Sequence, residues 1–180
     1  QHTRLSVAAA FHSPLVSSAQ KPFREALHDL SFRNAARPVY ANTTGAAYPV
    51  DSDAARDLLA GQLAAPVNFV DEIRCMASAG VRTFLEVGPG SVLTRLSSAI
   101  LSEDGGRTAH SSSPGDESDA FALDASAGKR SGALDLAHVL ARLAAHGHSV
   151  DLSPWQRTGA PAIASQPNRK GLIVPICGAN

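Results

Sequence analysis

The chain has 180 residues, with 16 Lys plus Arg set against 16 Asp plus Glu and a pI near 7.2. That neutral balance removes the basic footprint a nucleic-acid or anionic-membrane partner requires, and a hydrophobic fraction of 44% excludes wholesale disorder. No apolar run approaches the roughly 20 residues of a bilayer span, so no transmembrane helix is expected.

Leu5-Ser6-Val7-Ala8-Ala9-Ala10-Phe11 is a short apolar run consistent with a buried strand. Leu15, Ala19, Phe23, Ala26, Leu27 and Leu30 recur at helical spacing, and Pro22 predicts that this helix bends there or starts just before it. Pro38–Thr43 reads as a strand and Thr44-Gly45 as a turn. Asp51 or Ser52 suits the N-cap of a helix to Leu63, and Pro66 separates it from a second helix, Asn68 to Ala79, closed by Gly80. Thr83–Val87 reads as a strand, Gly88-Pro89-Gly90 as a tight turn, and Ser91 as the cap of a helix to Leu101. Strands alternating with helices indicate an α/β domain over residues 1–101.

Residues 102–118 are polar and Gly/Ser-rich, which predicts a flexible linker. A second unit is expected over 119–156, with a strand at Phe121–Asp124, a helix from Gly132 to His146 and a short strand at Val150–Leu152. Residues 157–180 read as an interdomain tether ending in a short apolar coda, Leu172–Val174. Both termini read as cut from a longer polypeptide.

Candidate chemistry is sparse. Cys75 and Cys177 match no CxxC or zinc spacing; Cys75 reads as a small core hydrophobe, and a reducing cytosol is the natural compartment. His146-Gly147-His148 lacks a third metal ligand and reads as a helix end, so no metal site is expected. Gly88-Pro89-Gly90 could cradle a phosphate, but Leu93 stands where the dinucleotide fingerprint needs glycine and Pro89 has no N–H to donate, so it reads as a turn. Asp71 and Glu72 point about 100° apart on a helix and read as a solvated face rather than a carboxylate pair. His12 follows an apolar strand, at the edge where α/β folds place functional groups, with Phe11 and Pro14 to shield its imidazole. Such a site can hold a neutral general base, although for a lone histidine the residues alone favour a packing or hydrogen-bonding role.

Ala9-Ala10-Phe11-His12-Ser13-Pro14-Leu15 resembles the histidine motif of malonyl-type acyltransferase domains from polyketide and fatty-acid synthases. Arg37–Gly45 resembles the next strand of that family, Gln62–Phe69 its "QL..PV.F" block, and Phe84–Thr94 its "EVGPG.VL" strand, turn and helix. Gln20-Lys21-Pro22-Phe23 and Cys177–Asn180 are most similar to polyunsaturated fatty acid synthases, and Phe121–Leu152 resembles their post-acyltransferase linker.

The resemblance implies the C-terminal part of an α/β-hydrolase-like acyltransferase core followed by a small α/β linker unit. The family's ferredoxin-like subdomain would lie mostly or wholly before Gln1. His12 would be the catalytic base, oriented by the backbone carbonyl of Gln62, while Phe11 and Ser13 would bear on substrate selectivity. A bulky ring at Phe11 would favour malonyl over methylmalonyl units. Malonyl-CoA is the implied substrate and an acyl carrier protein bearing phosphopantetheine the implied partner. Neighbouring ketosynthase domains, a cytoplasmic location and no cofactor bound by this segment are implied as well. The sequence contains no Gly-x-Ser-x-Gly elbow, nor a recognisable malonyl-binding arginine or oxyanion-hole glutamine; these are expected before residue 1, leaving the piece inactive alone. A non-catalytic docking module, or a hydrolase releasing acyl groups to water, are the competing readings.

Overall fold

The computed structural model describes residues 10–105 and 118–153. A 3-10 helix, Pro14–Ala19, leads into helix α1 (Gln20–His28); a two-stranded hairpin follows, β1 (Tyr40–Ala41) and β2 (Ala46–Ala47). Then come α2 (Ser52–Gly61), α3 (Phe69–Ser78), β3 (Thr83–Pro89), α4 (Val92–Gly105), β4 (Asp119–Asp124) and α5 (Gly132–Ala145). The class is mixed α/β.

Local signals fix the helix ends. The Asp51 carboxylate accepts the Ala54 N–H at 2.8 Å and starts α2. Gly80 (φ +93°) ends α3: its N–H reaches the Ala77 carbonyl at 3.0 Å and that of Val81 the Met76 carbonyl at 3.1 Å. Gly147 (φ +81°) repeats the arrangement after α5, with His148 N–H on Leu143 at 3.0 Å. In both, a left-handed residue without a Cβ turns the chain back onto carbonyls the helix leaves unbonded.

Of the two outcomes expected at Pro22 the second is found: α1 starts at Gln20, just before it, and Pro14–Ala19 form a separate 3-10 turn. Ser13 caps the 3-10 turn, and Pro22 falls in the first turn of α1, where a missing N–H costs no helical bond. Residues 5–9 of the expected first strand lie outside the described residues, and Phe11 sits in a turn. Helix α4 runs on through residue 105, so the first residues of the expected linker are helical, while 106–117 lie outside the described residues. Residues 150–152 form no strand; the expected tether from 157 onward lies outside the described residues, as does Cys177.

Strand β4 pairs in parallel with β3, Thr83 opposite Asp119 and Leu85 opposite Phe121. The strand expected to open a separate unit therefore extends the sheet of the preceding one. Ala120, Phe121 and Ala122 are buried in it, between α5, which contributes Val139, and α4, which contributes Ile100. A second cluster joins α1 to α2 through Leu27 and Ala60. Arg24 pairs with Asp57, and the Arg56 guanidinium lies 4.9 Å from the Phe32 ring centroid while donating to the carbonyls of Leu27 (3.2 Å) and Leu30 (2.9 Å). Cys75 is a free, half-buried thiol. Among the described residues no helix is long and apolar enough to cross a membrane.

Candidate functional site

His12 is held in an unusual backbone state. Its φ is +60°, a left-handed conformation that costs an L-residue with a Cβ about 1–2 kcal/mol. Such a residue persists only when its surroundings fix it from several sides. Here the His12 N–H donates to the Leu63 carbonyl at 2.8 Å, and the Ser13 hydroxyl closes the turn by donating to the Ala10 carbonyl at 2.6 Å.

The imidazole is fixed as well. Nδ1 lies 3.0 Å from the carbonyl oxygen of Gln62, the residue that caps the C-terminus of α2. A carbonyl can only accept, so Nδ1 carries the proton and the neutral ring presents an unprotonated Nε2. When Nε2 takes up a proton, Nδ1 still donates to the same oxygen, so the ring need not move between the two states. The sequence-predicted pair is thus brought together across fifty residues of chain, through the backbone of Gln62.

Phe11 and Ser13 flank the imidazole differently. Phe11, the residue before the base, is 55% exposed. The Ser13 hydroxyl is engaged with backbone, donating to Ala10 and accepting from Leu15 N–H at 3.4 Å. It shapes the His12 turn rather than presenting a free hydroxyl to a substrate.

The block after Gln62 is stitched to the hairpin turn. Asn68 N–H donates to the Asn42 carbonyl at 2.6 Å and Asn68 Nδ2 to the Thr43 carbonyl at 2.7 Å. Gly45, at φ +65°, lets α3 approach so closely that a Cβ there would stand 2.8 Å from the Asp71 Cβ. Glu72 is half-buried, and burial raises its pKa above the usual carboxylate range, so it does not belong to the solvated face expected of it.

Glu86 has a role that sequence reasoning missed. From β3 its carboxylate reaches the start of α4, accepting Leu93 N–H at 3.2 Å, Thr94 N–H at 2.8 Å and the Thr94 hydroxyl at 2.7 Å. Burial works to raise its pKa, but the Thr94 hydroxyl and the N–H groups of Thr94, Leu93 and Val92 outweigh that and hold it below its ordinary value. The amides that could have bound a phosphate are therefore taken by a side chain of the protein, and the N-terminal oxygens expected from Ser91 come from Glu86. An acidic residue eight positions before a helical threonine is the only signal the sequence offers.

The His146-Gly147-His148 segment is likewise occupied. His146 Nε2 lies 3.0 Å from Asp119 Oδ2, which also pairs with Arg142, and His148 Nε2 lies 3.0 Å from the Thr83 hydroxyl. Among the described residues no three His, Cys, Asp or Glu side chains are placed to hold a metal. A groove of about 600 Å3 between the 32–39 segment and α2 is lined by none of Phe11, His12, Ser13 or Gln62.

The fold matches part of an acyltransferase domain, and known proteins are similar to the chain. The chain is 37% identical over 102 residues to a polyunsaturated fatty acid synthase polypeptide of a Thraustochytrium species, a match covering 56% of this chain and 4% of that protein. It is 35% identical over 95 residues to a malonyl CoA-acyl carrier protein transacylase of Bacillus subtilis, covering 53% of this chain and 24% of the relative. The crystal structure of the acyltransferase domain from the second module of the salinomycin polyketide synthase superposes with a TM-score of 0.68 at 28% identity, covering 91% of this chain and 35% of that one. No family model matches the chain. The chain is homologous to polyketide and polyunsaturated fatty acid synthases and to malonyl-CoA transacylases. It spans less than a quarter of the length of either of these two curated relatives.

Proposed function

We propose that these residues supply the proton-transfer half of a malonyl-type acyltransferase site, with His12 as general base and then general acid. The observation that carries the reading is the Nδ1–H···O bond from His12 to Gln62 at 3.0 Å, which leaves Nε2 as the acceptor.

A serine hydroxyl delivered to Nε2 gives up its proton as its oxygen attacks the thioester carbonyl of malonyl-CoA. The tetrahedral adduct collapses with cleavage of the C–S bond, and the Nε2 proton passes to the departing thiolate to release coenzyme A as its thiol. In the second half the phosphopantetheine thiol of an acyl carrier protein gives its proton to Nε2 and attacks the seryl ester. The serine oxygen then leaves with that proton. The sequence has no Gly-x-Ser-x-Gly elbow, so in this reading the nucleophile belongs to a part of the protein outside these 180 residues.

Phe11, next to His12 in the sequence, would form a wall against an α-methyl group, worth about 1–3 kcal/mol of discrimination. The reading needs no resident cofactor, since phosphopantetheine arrives on the partner. In this reading the enzyme is cytoplasmic, ketosynthase domains are among its neighbours, and residues 119–156 join the acyltransferase core to the next unit.

The test uses the complete polypeptide that carries these residues. Wild type and His12→Ala are incubated with malonyl-CoA, and intact mass and free thiol are followed over time. Malonyl loading that slows by orders of magnitude in the variant supports the reading. Equal loading overturns the role of His12 as the base; no loading and no thiol release in either protein overturns the catalytic reading in favour of a non-catalytic docking module.

A further inference from the structure

We infer that Gln20 is a positioning residue for the His12 base, acting through the carbonyl end of α2; the inference rests on the acyltransferase reading above. Three successive carbonyls there, those of Gly61, Gln62 and Leu63, each accept a bond from the segment 12–20. Gln20 Nε2 donates to Gly61 at 2.9 Å, His12 Nδ1 bonds to Gln62 at 3.0 Å and His12 N–H donates to Leu63 at 2.8 Å.

The carbonyl row is weakly fixed by its own turn. The local bonds, Ala64 N–H to Gly61 at 3.2 Å and Ala65 N–H to Gln62 at 3.3 Å, are at the long end of the useful range. Gly61 has no side chain to restrict its backbone, and no heavy atom lies within 4 Å of where a Cβ would be. The peptide plane just before Gln62 is held on its N–H side by the Leu58 carbonyl at 3.1 Å. On its carbonyl side the half-buried Gln20 amide, directed by its place at the start of α1, adds a shorter bond than the turn's own.

The rest of α1 is tied to α2 independently. Arg24 pairs with Asp57, and Arg56 holds the carbonyls of Leu27 and Leu30. Loss of the Gln20 donor thus leaves the helix pair assembled and loosens the end that aims the imidazole. A base displaced by a fraction of an ångström from the proton it must take loses rate without losing substrate affinity.

Three substitutions separate positioning from packing in the complete polypeptide. Gln20→Met keeps length and apolar stem but removes the donor, Gln20→Glu sets an acceptor against the Gly61 carbonyl, and Gln20→Lys restores an N–H donor. Expected are a fall of about 10- to 100-fold in the malonyl loading rate for Met, a larger fall for Glu, and recovery to within about threefold for Lys, with KM for malonyl-CoA unchanged. Met and Glu variants that load like wild type would overturn the inference, as would an equal loss in all three or a rise in KM that accounts for the loss. If Met alone lowers the melting temperature, Lys against Glu decides on the same criteria. His12→Ala is run alongside: if it too loads like wild type, the acyltransferase reading falls. If it is dead while Met and Glu load normally, only the role of Gln20 falls.

Discussion

Replacing Gly45 with alanine tests how α3 is seated against the hairpin that precedes it. Two costs add. The residue sits at φ +65°, where a Cβ costs about 1–2 kcal/mol. The new methyl would also stand 2.8 Å from the Asp71 Cβ and 3.1 Å from both the Asp71 carbonyl carbon and the Glu72 nitrogen. Two of those three atoms are backbone, so the helix itself must shift, at about 1–3 kcal/mol for overpacking. The sum is at least about 2 kcal/mol, or roughly 30-fold in the opening equilibrium at 1.4 kcal/mol per tenfold. Amide hydrogen exchange by mass spectrometry reads this locally in the complete polypeptide. The Gly45 N–H, now on Ala41 at 2.8 Å, and the Asn68 N–H, on Asn42 at 2.6 Å, should exchange at least 30-fold faster, while β4 and α5 keep their protection. Exchange within twofold of wild type over residues 41–72 would show that α3 does not approach the turn as described.

Gln62→Ala should load malonyl within about threefold of wild type, because the imidazole is bonded to a backbone oxygen that the substitution keeps; a loss beyond tenfold in the same mass assay would mean the side chain takes part. Phe11→Ala should raise methylmalonyl loading relative to malonyl by about 10-fold or more, the scale of one methyl-sized discrimination, measured by competition between the two thioesters. Glu86→Gln should destabilise α4 by about 1 kcal/mol, the usual size of a lost N-terminal acceptor, read by urea denaturation at pH 7. The folded pKa of Glu86 lies below its unfolded value, so its contribution is present above pH about 4.5 and lost as pH falls through the folded pKa; wild type should converge on the glutamine variant in that acid window. A difference that persists unchanged at pH 3 would refute the carboxylate's role.

What the sequence discloses and what it hides divide along contact distance. The ends of α2, α3 and α5 are legible because Asp51, Gly80 and Gly147 act on backbone within a few residues of themselves. Pro22 likewise marks the start of α1 just before it, but the 3-10 form of the preceding turn is not legible, since periodicity over 15–30 reads the same through both. The pairing of β4 with β3 leaves no local trace: Thr83 finds Asp119 across a helix and a polar stretch. At the candidate site, His12 is on physical grounds one histidine among several, and only its family resemblance gives it weight. Its partner oxygen on Gln62 is a backbone atom that no side-chain pattern encodes. Gln20 and Glu86 look like ordinary polar residues until the fold sets one against Gly61 and the other against Thr94.

The parallel ladder between β3 and β4 also orders events during synthesis. Strand β3 leaves the ribosome well before β4, and among the described residues β4 is its one hydrogen-bonding neighbour. In that interval the backbone groups on its β4 side lack their mates, and Leu85 and Val87, 38% and 75% exposed among the described residues, border that open edge. Helix α4, which packs on β3 and follows it directly, can settle first and hold the place. The nascent chain therefore passes through a stage when an apolar strand waits for a mate not yet made, and a pause in translation between residues 105 and 124 would lengthen its exposure to misassociation.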